Sequence, residues 1–254
     1  MSLIYPNSPG KKISIVPPGA TSHLALSRRQ FLQASGLSGL GLLLSGCSTN
    51  LLADRIGKTV EPLNETLETL LLSQNPVPEF PLTAIEPDRL LINSFNFIPR
   101  IDPLRFYLKI DGEVEQPLRL SLSDLKQLPF TSMVIRHVCV EGWAAIVQWG
   151  GVRLRDLLAL ARPKPSAQYV YFISADEYYE SWDMASVLHP QTLMAYQKNG
   201  EPLAIENGAP LRLASPIKLG YKQSKWVFQI RLVNHLLGQK GYWEDQGYEW
   251  FAGL

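Results

Sequence analysis

Cysteine is almost missing from this chain, with two residues in 254, Cys47 and Cys139. Cys47 closes Leu44-Ser45-Gly46-Cys47, which reads as a lipoprotein processing site, so no disulfide framework is expected. Histidine is nearly as scarce, four residues in all. His137, His189 and His235 come after Cys47 without paired-ligand spacing, which argues against a structural zinc site. Neither sign of charge dominates, with 24 basic residues against 23 acidic. A nucleic-acid partner would call for a clear basic excess, and none is expected. No apolar run approaches the roughly 20 residues a spanning helix needs. The best candidate, residues 36–46, is shorter and is interrupted by Gly36, Gly39, Gly41 and Gly46. Internal repeats are absent.

What the N-terminus does contain is Ser27-Arg28-Arg29-Gln30-Phe31-Leu32 ahead of that Gly/Leu-rich run, a twin-arginine export signal. Such a route carries folded proteins, and a cofactor inserted before export is a common reason for using it. The chain therefore divides into a signal with lipobox (1–46), a tether and N-terminal arm (47–90) and a domain (91–254). Cys47, if acylated, becomes the first residue of a lipid-anchored periplasmic protein. Removing residues 1–46 takes Lys11, Lys12, Arg28 and Arg29 and no acid, leaving 20 basic against 23 acidic residues. About 208 residues remain, enough for one domain with its own core.

Segment patterns alternate between strands and short helices. Residues 64–72 carry Leu67, Leu70 and Leu71 at helical spacing, and Pro76, Pro78, Pro81 and Pro87 keep residues 76–87 from forming a sustained element. Residues 106–110 and 118–120, joined through Asp111-Gly112, predict a hairpin. Ser121-Leu122-Ser123-Asp124 is a capping pattern for a short helix stopped by Pro129. Residues 131–140 predict a strand ending at Cys139, residues 152–161 a helix, and residues 169–173, 211–214 and 226–232 further strands. Residues 184–188 and 190–194 read as short helical or extended pieces. Many strands with short helices indicate an α+β fold.

Cys139 is the one thiol that remains, and a cysteine ligates or attacks only as the thiolate. It has three readings: a metal ligand, a nucleophile, or a small buried residue at a strand end. A Cys-His hydrolase lacks any flanking signature. The second notable cluster is basic: Arg212, Lys218, Lys222 and Lys225 fall within 14 residues without an acid, together with Gly208 and Gly220. That run suits phosphate recognition, and it equally suits a solvated hairpin rim.

Taken together, Cys139-Val140-Glu141-Gly142-Trp143, Asn207-Gly208-Ala209-Pro210-Leu211-Arg212 and the 218–225 segment resemble the molybdopterin-binding domain of the sulfite oxidase family, and in particular its bacterial periplasmic single-domain members. The resemblance covers about residues 93–254. It implies a single-domain fold of mixed sheets and short helices and a molybdenum-molybdopterin cofactor bound to Cys139. It also implies oxygen-atom transfer on a small substrate, in the direction of S- or N-oxide reduction or of sulfite-type oxidation. Asn207, Arg212, Gln223, Ser224 and Lys225 would hold the pterin and its phosphate, with Ser174, Asn93, Asn96 and Phe97 at neighbouring positions. Asn96 and Phe97 stand where the family's reductase subunits have a tyrosine and a glutamate. Arg136 is the only arginine close in sequence to Cys139, where sulfite oxidases use several. His137 shares a strand face with Cys139. A monomer is expected, with electrons exchanged through a separate cytochrome or quinone-linked membrane protein. The rival expectation is a cofactor-free binding module on the same fold.

Overall fold

The computed structural model describes residues 63, 64, 66–68, 70–72 and 74–254. The segment expected to be an export signal, Cys47 and the first part of the expected tether lie outside them. Among the described residues no helix is long and apolar enough to cross a membrane. Residues 66–68 and 70–71 are helical as their spacing predicts, but Leu67, Leu70 and Leu71 are exposed, so their stripe covers no core.

Among the described residues, ten strands form two sheets. The first is built from β1 (Tyr107–Gly112), β2 (Leu118–Ser121), β5 (Tyr169–Ser174), β6 (Tyr179–Asp183) and β10 (Val227–Val233), in the order β2-β1-β10-β5-β6. The second is built from β3 (Phe130–Val138), β4 (Ala144–Arg153), β7 (Leu193–Lys198) and β8 (Glu201–Pro202), in that order, with β9 (Arg212–Ala214) paired to β7. Short helices link them: α1 (Leu122–Gln127), α2 (Leu154–Ala161) and α3 (Met184–Val187). The domain is of mixed-sheet α+β type, as its segment pattern predicts.

Local chemistry explains most of these elements. The expected hairpin is β1 against β2, with Leu108 opposite Leu120 and Lys109 opposite Arg119. Helix α1 begins in a capping box, Ser121 accepting from the Asp124 N–H while the Asp124 carboxylate accepts from the Ser121 N–H. Helix α2 buries Leu154, Leu157, Leu158 and Ala161 and ends at Arg162 in the left-handed region, immediately before Pro163. Val152, expected in that helix, belongs to β4 instead.

Strand β4 is the element the sequence pattern hides. No strand is expected over residues 144–151, yet β4 runs through Gly150-Gly151 with a register shift against β7 between the two glycines. A Cβ on Gly151 would come 2.1 Å from the Met194 carbonyl oxygen, so the bare backbone is what admits β7. Gly151→Ala is expected to cost on the order of 1–3 kcal/mol; a chemical-denaturation midpoint equal to that of the parent would refute this close approach.

The first four residues of β7, Leu193 to Tyr196, are apolar and buried, so both strand faces are covered there. Met194 and Tyr196 join a core with β1, β5, β10 and α2, while Leu193 and Ala195 join another with Met133, Ile135, Val147 and Trp149. Residues 74–87 brace the β3–β4 hairpin. The Phe80 N–H donates to the Val134 carbonyl at 2.9 Å, and the Val134 N–H donates to the Glu79 carboxylate at 3.2 Å. Glu86 repeats the device on Ile146, donating its N–H and accepting at its carboxylate. These brackets fix the strands whose far end carries Cys139.

Candidate active site

Strand β3 stops at Val138, one residue before Cys139, and the chain turns. The Cys139 N–H donates to the Trp143 carbonyl at 2.9 Å, the Gly142 N–H donates to the Cys139 carbonyl at 3.1 Å, and Gly142 takes a φ of 87°. That positive φ is what glycine supplies to a tight hairpin loop. The turn sets the thiol at the edge of a cavity of about 580 Å³. Its size lies within the range that accommodates small cofactors.

The thiol is half-buried and donates to the Glu141 carboxylate at 3.5 Å. Burial raises its pKa above the ordinary thiol value, and the Glu141 charge adds to this. The same Glu141 oxygen accepts from Trp143 Nε1 at 2.9 Å and Asn93 Nδ2 at 3.1 Å. Glu141 and Trp143 thus face the cavity beside Cys139, and Glu141 orders that rim.

Two cations also line the cavity. Arg212 is buried, lies 4.4 Å over the Trp149 ring, and donates only to the carbonyls of Asn207, Leu213 and Gln223. Burial lowers its pKa to about 9. Lys225 Nζ donates to the carbonyls of Asn93 and Glu206 and lies 4.4 Å over the Trp226 ring. Burial and the Arg212 charge lower its pKa to about 7, although Asp176 and Glu206 oppose the shift. Neither cation has a carboxylate among its hydrogen-bond partners, which leaves charge available for an anionic ligand.

Lys218 and Lys222 have a different role from the one the basic run suggests. Lys218 Nζ lies 3.5 Å from Asp183 and donates to the Phe251 carbonyl at 2.5 Å. Lys222 is buried between Glu180 and Glu244. They are internal ties, so of the four basic side chains in the 212–225 run only Arg212 and Lys225 line the cavity.

Cys139, Asn93, Asn96, Asn207, Arg212, Gln223, Ser224 and Lys225 all line the cavity. Asn93 and Asn96 spend their side-chain amides on Glu141 and Glu177. Phe97 is exposed and does not line the cavity. Ser174 does not line it either: it is buried at the end of β5, where its N–H donates to the Tyr178 carbonyl. His137 lies against Trp143 with the ring centroids 5.9 Å apart. Burial, with the Arg212 charge second, lowers its pKa to about 3, so it is a neutral imidazole. Arg136 points elsewhere, its guanidinium 5.2 Å from the Phe80 ring centroid. His189 is buried outside the cavity, its Nδ1 accepting from the Gln191 N–H at 3.2 Å.

Asp176 and Tyr178 come to the site through the β5–β6 turn, and no sequence signal marks them. Tyr221, Tyr242, Trp243 and Tyr248 supply an aromatic wall. Tyr242 packs 5.1 Å from Trp243, and Trp243 packs 5.1 Å from Tyr248. The last three lie in the 241–250 segment, whose concentration of aromatics is the available signal.

A family model described as "Oxidoreductase molybdopterin binding domain" matches residues 95–243. The "Putative protein-methionine-sulfoxide reductase subunit YedZ1" of Azospira oryzae is 36% identical over 237 residues, covering 89% of this chain and 88% of that protein. The "Protein-methionine-sulfoxide reductase catalytic subunit MsrP" of Campylobacter jejuni is 32% identical over 155 residues, covering 54% of this chain and 52% of that protein. Among solved structures, the sulfane dehydrogenase SoxCD from Paracoccus pantotrophus matches with a TM-score of 0.55 and 25% identity, covering 65% of this chain and 49% of that one. The matched part thus spans about half the length of the latter two proteins.

Proposed function

This chain belongs to the oxidoreductase molybdopterin-binding domain family, of sulfite-oxidase type, and from that premise we propose that it uses a molybdenum-molybdopterin group, with Cys139 as the metal ligand, to remove oxygen from a small S-oxide. The residues fit the group. His137 Nδ1 and Ser224 Oγ are buried cavity-wall atoms without a hydrogen-bond partner within the protein, and a pterin's ring nitrogens and amine are of the kind that satisfy them. Arg212 and Lys225 offer uncompensated charge to a phosphate, and Cys139 offers the soft sulfur donor that molybdenum tolerates. The family match disfavours the cofactor-free binding module.

When bound, the group supplies the two-electron redox chemistry and the oxygen-atom transfer. The chain's own residues hold and orient. Arg212 and Lys225, on β9 and just ahead of β10, fix the anionic end. Cys139 fixes the metal end, on a turn that the 74–87 brackets stiffen. Tyr178 is kept protonated by burial, its hydroxyl donating to the Tyr221 carbonyl at 2.6 Å, so its ring is locked in place as cavity wall. Tyr242 and Trp243 offer aromatic faces suited to a sulfur-bearing side chain.

One observation favours a neutral S-oxide over sulfite: among the described residues Arg212 and Lys225 are the only cationic side chains lining the cavity, and Arg136 is turned away over Phe80. The test is an assay in both directions on protein from a cofactor-competent host, with S-oxides plus reduced dye and with sulfite plus an electron acceptor. S-oxide reduction is expected to be faster; faster sulfite oxidation overturns the substrate assignment. Absence of molybdenum and pterin from that protein overturns the cofactor assignment. On the strength of the 27–32 and 44–47 motifs, we place the enzyme outside the cytoplasm, exported by the twin-arginine route and anchored through Cys47, with a membrane redox protein as electron donor.

Arg212→Met with Lys225→Met is expected to lower retained pterin per protein by about 100-fold, the upper end for groups that support a bound cofactor without ligating its metal. Lys225 also predicts a pH effect. Its folded value of about 7 lies below the unfolded lysine value, so the native state sheds this proton first. Stability of the cofactor-free protein should therefore rise between pH 7 and about pH 10, and Lys225→Met should flatten that rise. An unchanged slope would exclude Lys225 as its source. An anion bound there favours the charged form, so its affinity should fall as pH rises through 7.

A further inference from the structure

The outer face of β2-β1-β10 carries a second feature, which shares no residue with the cavity. Tyr107 and Lys109 on β1, Arg119 on β2 and Phe228 on β10 line an open groove of about 500 Å³, with Arg105 at its end. Lys109 stands directly opposite Arg119 in the antiparallel register. Like charges paired in this way on one face destabilise a sheet. Asp111 relieves Lys109 at 2.6 Å and Arg231 at 2.8 Å. Arg105 and Arg119 have no carboxylate partner among the described residues, and the Arg119 guanidinium lies 3.5 Å over the Tyr107 ring.

Exposed apolar side chains accompany these cations, Phe228 in the groove lining and Leu104 beside Arg105 in the chain. Leu104, next to Arg105, is 91% exposed, its N–H turned to the Asp102 carboxylate. Phe228 sits where the β10–β5 register shifts, between Val227 and Gln229, and this irregularity leaves its ring exposed. A bulge of this kind commonly re-aims a side chain.

We propose that this face docks the protein onto an anionic lipid bilayer, with Arg105, Lys109 and Arg119 at the headgroups and Leu104 and Phe228 entering the interface. A sheet face with unpaired cations around protruding apolar side chains matches a plane of negative charge over hydrocarbon. The inference is independent of the cofactor and substrate assignments.

The test uses the mature protein from residue 48 onward, so that neither the signal segment nor an acyl chain contributes, and compares it with the same protein carrying Arg105→Glu and Arg119→Glu. Partitioning onto phosphatidylcholine vesicles, with and without phosphatidylglycerol, is read by co-sedimentation at low and high salt. Phosphatidylglycerol should strengthen binding of the parent, and the double reversal should weaken it by about tenfold or more, given the contribution of each cation near a charged surface. High salt should erase the difference. Leu104→Ser should weaken binding further at either salt. S-oxide turnover and the denaturation midpoint of the reversal variant report whether the cavity and fold are intact. Equal partitioning of parent and reversal overturns the proposal. So does a concentration-dependent dimer that the reversal abolishes, since a second copy would then be the occupant.

Discussion

On the proposed cofactor assignment, Cys139→Ser is expected to leave the fold standing and abolish metal retention. Molybdenum per protein should fall to background, the visible thiolate-to-metal absorbance should vanish, and turnover should drop by more than about 100-fold, the upper end seen even for outer-sphere partners of a metal. The chemistry is direct. A serine hydroxyl stays protonated where a thiol becomes a thiolate, and it is a poor match for a metal that tolerates soft sulfur. Burial raises the thiol's pKa, so the bare protein keeps the proton and only a strong cation draws it off. The fold is spared because the side chain makes one long contact, to Glu141 at 3.5 Å, while the turn is held by the Cys139 backbone. The denaturation midpoint should therefore stay within roughly 0.5 kcal/mol of the parent. A serine variant with full metal content and undiminished activity would remove Cys139 from the site; loss of metal together with a large stability loss would make it structural.

How the site is legible in the sequence depends on where its residues come from. Cys139, Asn207, Arg212 and Lys225 stand in contiguous stretches with distinctive residue types, so their pattern carries them. The helix at Ser121 and the β1–β2 hairpin are legible for the same reason, since capping and turn chemistry act over a few residues. What is hidden is non-local. Residues 144–151 carry no strand expectation, and Gly150-Gly151 is a crossing point, because the backbone it admits is β7, far along the chain. Lys218 and Lys222 look like ligands because composition cannot show that Asp183, Glu180 and Glu244 wait for them across the fold. Asp176 and Tyr178 reach the cavity only because β5 and β6 pair there. Phe97 falls on a plausible segment, and its ring points to solvent.

Lys222→Met should be among the most destabilising single changes in the domain, on the order of 3–5 kcal/mol, the cost of breaking a buried charge pair from one side. Lys222 Nζ donates to Glu180 Oε1, to the Ser181 carbonyl at 3.1 Å and to Glu244 Oε1 at 2.5 Å, and all three side chains are enclosed. Two carboxylates share one ammonium group, so both being ionised would leave a buried negative charge. Burial holds the Glu180 carboxyl well above its usual range, and the Glu244 charge pushes in the same direction against the pull of Lys222. A group whose folded pKa is raised contributes stability that is present at low pH and lost as pH climbs through the folded value. Glu180→Gln replaces the acid with an amide of the same shape that cannot ionise, so it should remove this loss, which begins as pH rises above the ordinary carboxyl value of 4.5. The tie also reaches the site, because Glu244 follows Tyr242 and Trp243, and Lys222 lies between Tyr221 and Gln223. Removing the ammonium should thus loosen the aromatic wall before the domain unfolds, seen as an early change in tryptophan fluorescence during urea titration. A Lys222→Met protein within about 1 kcal/mol of the parent would contradict the buried pairing, and an unaltered pH–stability profile in Glu180→Gln would exclude Glu180 as the source of this loss.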